Sequence, residues 1–307
     1  MSTPHPQPVV AAVDGSEHSN RALEWALAEA TRRGADLRIV HVRQYAPHLQ
    51  PAVLVAGPDE PADDPVIGNV RKALEHRQGP PPLEFISREG VPAAVLPEMG
   101  AEAQLVVLGS RGRGGFAGLL LGSNGVAAAR DAVCPVVVVP PPGRVVHGEA
   151  PVAPGPRVVV GLRLDDTGGP DETVLDFAFA HAARSGARVR VVAAYPWPPL
   201  VWSAFGDFTP TTIDEEAARQ ETLRLAEEAI AGRRKSHPEV EVDLYVAPGD
   251  AAGHLVENSR GADLVVVGRH RRRLTRPAPI LGSVTHAVLL HAASPVAVVP
   301  PDGRAQG

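Results

Sequence analysis

The sequence predicts an α/β fold built twice: two tandem domains, each a parallel sheet covered by helices. Three observations predict it. First, the chain repeats itself. Gly90–Gly109 (GVPAAVLPEMGAEAQLVVLG) parallels Gly249–Gly268 (GDAAGHLVENSRGADLVVVG) at an offset of 159, Cys134–Pro140 parallels Ser294–Pro300 at 160, and Gly34–Val40 parallels Gly186–Val192 at 152. A unit of about 145 residues is too long for a solenoid repeat and has the size of a domain. Second, each unit alternates short apolar runs with amphipathic stretches, the signature of strand–helix–strand construction. Third, Leu105–Leu108 and Val136–Val139 are apolar without alternation, as parallel strands buried on both faces are. The 307 residues also fit about two domains at roughly 100–200 residues each.

In the first unit, strands are predicted at Val9–Val13, Leu37–Val42, Leu83–Arg88, Leu105–Leu108 and Val136–Val139. Helices are predicted at Ser19–Arg33, Ile67–Arg77, Val91–Gly100 and Ser123–Asp131. In the first helix Ala22, Leu23, Ala26, Leu27 and Ala30 recur at helical spacing and make one apolar face. The Pro- and Gly-rich stretch from Pro140 to Pro156 reads as a semi-rigid linker. The boundary is set near residue 150, giving domains 1–150 and 151–307.

Composition removes several function classes. Residues 1–150 carry 13 basic and 16 acidic side chains and residues 151–307 carry 17 and 19, so neither half is a basic body for nucleic acid. The one cysteine, Cys134, excludes a disulfide framework and a cysteine-cluster metal site. No apolar run approaches the length of a membrane span, roughly 20 residues. Met1–Pro8 has no signal-peptide core. The expectation is a cytoplasmic protein without membrane contact.

Parallel sheets bind ligands beyond the carboxyl ends of their strands, so the loops there carry the functional reading. After the first strand comes Asp14-Gly15-Ser16. Asp14 would face a ligand hydroxyl or amino group, or the tripeptide is a turn and helix cap; on these three residues alone the turn leads. After the fourth strand comes a loop with five glycines, Gly109, Gly112, Gly114, Gly115 and Gly118, before Leu119. Glycine admits close backbone approach, Arg111 and Arg113 suit phosphate oxygens, and Ser123 and Asn124 open a helix whose free N–H groups favour an anion. Running from strand end to helix start, the loop reads as a phosphate cradle rather than a mere surface loop. Gly112–Ala117 formally matches G-x-G-x-x-A, but it follows the fourth strand and Asp131 ends a helix, so the dinucleotide fingerprint is rejected. A P-loop is excluded because neither lysine, Lys72 nor Lys235, lies near a glycine-rich loop.

These residues resemble the universal stress protein family. Gly109, Gly112, Gly122 and Ser123 fall on the four fixed positions of the G-x2-G-x9-G-[S/T] pattern of its ATP-binding members. Val13–Ser16 is similar to the family's first strand and turn, His41-Val42 to the end of its second strand, and Cys134–Pro140 to its last strand. The resemblance covers both units. It implies open five-stranded parallel sheets in order 3-2-1-4-5 with helices on both faces. It also implies ATP, with or without Mg²⁺, in a stress-response regulatory protein that answers to a regulatory protein partner. Asp14 would contact the ribose or adenine side and Val42 would offer backbone groups to adenine. Gly109, Arg111, Gly112 and Arg113 would line the ribose-phosphate path, and Gly122, Ser123 and Asn124 would hold the phosphates. Family members commonly pair through their last strands, so Val136–Val139 and Val296–Val299 would make an internal pseudo-dimer, with a homodimer as the alternative.

The second unit departs from that pattern. Asp14 is matched by Arg163, which cannot accept a hydrogen bond from ribose. Arg271 stands where the second loop glycine belongs, and Pro277 and Pro279 stiffen the loop, so the second nucleotide site is expected to be degenerate. The run His270–Arg273 with Arg276 would grip a polyphosphate or nucleic-acid backbone. With no aromatic platform nearby, a solvated or acid-paired loop is favoured. The insert Tyr195–Phe208 holds five of the chain's twelve aromatics and reads equally as a lid or partner patch and as core packing. No general base, catalytic triad or H-E-x-x-H pair accompanies the phosphate loop. The alternatives to an ATP-binding regulator are a weak ATPase or nucleotidyl-transfer enzyme using the same loop, and a nucleotide-free interaction scaffold.

Overall fold

The computed structural model describes residues 6–44, 64–112, 120–148, 152, 154–164, 172–195, 200–202, 208–210, 215–269 and 281–301. The chain divides into two compact units, Met1–Pro141 and Pro142–Gly307.

The first unit runs β1 (Val9–Ala12), α1 (Glu17–Arg33), β2 (Leu37–Arg43), α2 (Pro65–Leu74), β3 (Leu83–Glu89), α3 (Pro92–Met99), β4 (Leu105–Gly109), α4 (Ser123–Asp131) and β5 (Val136–Val139). Its strands pair in parallel in the order β3-β2-β1-β4-β5. The chain moves one way across the sheet through α1 and α2 and returns through α3 and α4. Right-handed crossovers therefore place the two helix pairs on opposite faces, and α3 packs on α4. Val9, Val10, Leu37, Ile39, Leu105, Val106 and Val107 are wholly buried, which is why these strands carry no polar alternation. Ala22, Leu23, Ala26, Leu27 and Ala30 form the buried stripe of α1, as their spacing predicts. Glu29 lies on that stripe, fully buried, and is held by Arg32 at 2.9 Å and Arg33 at 2.7 Å. Cys134 is buried beside Gly100, where an added Cβ would lie 3.0 Å from its Sγ.

The second unit runs β6 (Arg157–Leu162), α5 (Glu172–Ser185), β7 (Arg188–Tyr195), β8 (Leu200–Trp202), β9 (Phe208–Pro210), α6 (Glu215–Ser236), β10 (Val242–Pro248), α7 (Ala251–Asn258), β11 (Leu264–Gly268), α8 (Ser283–His291) and β12 (Val296–Val299). Its sheet repeats the order as β10-β7-β6-β11-β12. The aromatic insert contributes a two-stranded antiparallel ribbon, β8 with β9, that the sequence reading did not anticipate; its Tyr195 ends β7 and is buried, and residues 196–199 and 203–207 lie outside the described residues. Arg157, opening β6, is 2% exposed, and its Nη2 donates to the carbonyls of Asn258 (3.3 Å) and Arg260 (2.8 Å). A buried cation here satisfies carbonyl groups at the end of α7, where the helix dipole is negative. Burial first, then Arg190 and Arg188, pushes its pKa below the ordinary arginine value. Among the described residues, no helix is long and apolar enough to cross a membrane.

One side chain fastens three elements of the first unit. Asp64 caps α2: its Oδ1 accepts from the N–H groups of Val66 (3.0 Å) and Ile67 (3.3 Å). Pro65 stands in the first turn, where its missing N–H costs nothing. Asp64 Oδ2 accepts from Ser87 Oγ of β3 (2.6 Å) and meets His41 Nδ1 of β2 (2.7 Å). Burial alone would raise this carboxyl's pKa. The hydrogen bonds from Ser87, His41 and Ile67 outweigh burial and hold it below the usual aspartate range, since bonds to the charged form favour ionisation. A depressed folded pKa stabilises the protein above the unfolded value of about 4, and that contribution is lost as pH falls through the folded value. Asp64→Ala is therefore expected to cost about 1–2 kcal/mol near neutrality and to flatten the acid limb of a pH–stability curve from urea unfolding. An unchanged acid limb would refute the role.

Candidate functional site

The cleft of the first unit starts with a turn. Gly15 adopts φ 77°. This left-handed conformation favours glycine and lets the chain reverse from β1 into α1. Asp14 Oδ1 accepts from Ser16 N–H (3.0 Å) and Ser16 Oγ from Ser19 N–H (3.2 Å), so Ser16 is the helix cap. Asp14 thus performs the turn chemistry that its tripeptide predicts and also stands at the carboxyl end of the sheet.

Three glycines of the long loop differ in what requires them, and none has a positive φ. A Cβ on Gly109 would lie 2.7 Å from the carbonyl carbon and oxygen of His18, so the first turn of α1 seats directly on the end of β4. A Cβ on Gly112 would lie 2.6 Å from Asp14 Oδ2. Among the described residues, a Cβ on Gly122 would meet Ser110 O at 3.6 Å and Arg111 Cα at 3.7 Å, ordinary contacts. Packing against the described residues demands glycine at 109 and crowds 112, but does not demand it at 122.

Between these residues lies a cleft of about 590 Å³ at the carboxyl ends of β1, β2 and β4. Asp14, Val42, Gly109, Arg111, Gly112, Gly122, Ser123 and Asn124 all line it. Arg113 lies outside the described residues. Pro92 and Leu96 of α3 form an apolar wall, and Asp14 is the one carboxylate among the lining residues. Opposite stands the start of α4, where Gly122 provides no side-chain cap for the helix's first amide groups. His18 lies against Gly109 through its backbone. Burial first, then Arg111 and Arg21, pushes its pKa below the ordinary histidine value. Arg21 Nη2 contacts its Nδ1 at 2.7 Å, which fits a neutral ring accepting there.

Ser110 is one of the lining residues that sequence reasoning missed, with Ser19, Gln44, Pro92, Leu96 and Gly125. It is 1% exposed, and its hydroxyl has no hydrogen-bond partner among the described residues. Its position between two loop glycines was the available signal. His41 also lines the cleft, with its ring tied to Asp64. In the second unit the equivalent positions differ. Arg163 replaces Asp14, and Val284 and Thr285 stand where α4 has Asn124 and Gly125. Thr285 Oγ1 donates to the Gly268 carbonyl at 2.7 Å. Arg271 lies outside the described residues.

The steric contrast is testable without a ligand. Gly109→Ala is expected to destabilise the protein by about 1–3 kcal/mol, because backbone must move. Gly122→Ala should cost about 1 kcal/mol or less, the helix-cap preference alone. Urea unfolding of the two variants checks the order, and the reverse order would refute the packing argument.

Comparison with known proteins agrees with this architecture. The model of the universal stress protein family matches residues 6–140 and 157–300. A universal stress protein of Mycobacterium tuberculosis is 34% identical over 312 residues, covering 97% of this chain and 99% of its own. The crystal structure of a universal stress protein from Archaeoglobus fulgidus superposes with a TM-score of 0.60 at 19% identity, covering 96% of this chain and 98% of that one. A universal stress protein solved in complex with cAMP matches 43% of this chain and 96% of its own at 27% identity, with a TM-score of 0.34. Two family matches in one chain, on two units of one strand order, lead to a single conclusion: this chain belongs to the universal stress protein family, as a tandem member.

Proposed function

We propose that the first unit binds an adenine nucleotide, ATP with or without Mg²⁺, and that its occupancy regulates a protein partner. The observation that carries this reading is the cleft with Asp14 on one side and the uncapped start of α4 on the other. Asp14 is a hydrogen-bond acceptor suited to ribose hydroxyls or the adenine amino group. Val42 supplies strand-end backbone groups at the base end, beside Pro92 and Leu96. The amide groups of Gly122, Ser123 and Asn124 face an anion with the helix dipole behind them. Arg111, and Arg113 of the same loop, add donors along the phosphate path. The fit is supported by Gly122: its missing side chain leaves room that the described residues do not fill.

Regulation fits better than catalysis. Asp14 is already engaged by Ser16, and His41 is engaged by Asp64, so neither is poised as a general base. Among the described residues no cluster of three His, Cys, Asp or Glu side chains could hold a metal. A magnesium ion would therefore arrive on the phosphates, keeping most of its water. The second unit, with Arg163 in place of Asp14, is not a site for the nucleoside.

Calorimetric titration of the full chain with ATP and Mg²⁺ tests this. One site per chain is expected, weakened about tenfold or more by Asp14→Ala and by Gly122→Ala. Two equivalent ATP sites, or none, would overturn the reading. The same titration with AMP and cAMP identifies which phosphate arrangement the cradle prefers, and a phosphate-release assay abolished by the same variants would favour an enzyme.

A further inference from the structure

Ser110 is buried in the wall of the first unit's cleft, and its hydroxyl is closed off from water with no hydrogen-bond partner among the described residues. A buried hydroxyl without a partner is destabilising, and native interiors rarely keep one. The direction of this side chain follows from its strand. A Cβ on Gly109 would meet His18 of α1, whereas Leu108 Cδ1 lies 3.9 Å from the place of a Cβ on Gly125 of α4. Side chains alternate along a strand. The ladder runs on to Ser110, whose N–H donates to Val139 O of β5 at 2.9 Å. Ser110 thus returns to the face that α4 covers.

The Ser110 carbonyl accepts from Gly122 N–H at 2.7 Å, which sets the start of α4 directly over this residue. There the helix has no side-chain cap, and its first amide groups form the positive end of the dipole. An unpartnered hydroxyl and an uncapped helix start therefore share one wall of the cleft. Both call for an acceptor, and the acceptor that suits a helix start is an anionic oxygen. A serine hydroxyl swings about one χ1 torsion, so it meets such an oxygen without movement of the backbone. In the second unit Gly268 ends β11 and Gly282 precedes α8, as Gly109 and Gly122 do. Arg269 takes the place of Ser110 there, its N–H donating to Val299 O at 2.8 Å. The hydroxyl belongs to the first unit's cleft alone.

We propose that Ser110 is a phosphate-binding residue of the first unit, its hydroxyl donating to an oxygen of the phosphoryl group that the start of α4 holds. This rests on the nucleotide reading above and adds to it a residue outside the glycine pattern. One group then has two opposite effects: it weakens the empty protein and strengthens the occupied one. The competing arrangement is structural, a bond within the wall that persists whether or not the cleft is filled.

The test is calorimetric titration of the full chain with ATP and with adenosine, on the wild type, Ser110→Ala, Ser110→Cys and Asp14→Ala, together with urea unfolding of each without ligand. Ser110→Ala is expected to weaken ATP binding about tenfold and to leave adenosine binding unchanged. It should also raise the urea midpoint of the empty protein, because an unpartnered buried hydroxyl is gone. Ser110→Cys, similar in size but a weaker donor, should fall between the wild type and Ser110→Ala in ATP affinity. Unchanged ATP affinity in Ser110→Ala overturns the proposal, as does an equal loss for ATP and adenosine. A lowered midpoint would reveal an internal partner and overturn it as well. The two readings fail separately. A wild type that binds no ATP sinks both, whereas ATP binding that responds to Asp14→Ala and not to Ser110→Ala sinks this proposal alone.

Discussion

The contact on which the first unit's cleft depends is between the backbone of His18 and the bare Cα of Gly109. Any side chain at 109 would collide with that backbone at 2.7 Å. Because α1 seats on the end of β4, the turn that carries Asp14 is brought over Gly112, and the long loop must leave the strand beside it. The cleft is thus set by a packing constraint before any ligand enters. Ordinary interior density makes such a contact intolerant of one added carbon. The three described glycines of this loop therefore have different causes: 109 answers to the helix, 112 to Asp14, and 122 to neither.

Much of this was legible in the sequence, because it rests on local patterns. Val136–Val139 and Ser123–Asp131 match the predicted bounds, and the other elements of the first unit shift by a few residues at most. Helix α1 starts at Glu17, two residues before the predicted Ser19, because Ser16 of the capping tripeptide supplies the cap. The legible site residues are those that a turn or a strand-to-helix loop marks out. What the sequence did not reveal depends on residues far apart. Asp64 meets His41 and Ser87 across 23 positions in either direction, although Asp-Pro before an apolar stretch is itself a helix-start signal. Arg157 read as the ordinary start of a strand, and its burial follows from carbonyls about a hundred residues away. Ser110 is marked only by its place between Gly109 and Gly112, and the burial of its hydroxyl depends on the closed tertiary structure.

Duplication keeps the scaffold and releases the site. Both units retain one strand order, glycine at the end of the fourth strand, and glycine before the following helix. They differ where side chains meet solvent at the strand ends, and there the difference is a reversal of charge rather than a drift to small or apolar residues. A sheet buried on both faces constrains its interior tightly and its carboxyl-end loops little, so chemistry can change there at small cost to folding.

Cys134 gives this arrangement an experimental handle. The chain has one thiol, and it is packed inside the first unit beside Gly100. Alkylation must wait for that unit to open, so its rate is a clock for breathing motions there and is silent about motions confined to the second unit. In a protein made of two similar halves, whose spectroscopic signals overlap, a single buried sulfur allows the motion of one half to be timed alone, without labels or truncation.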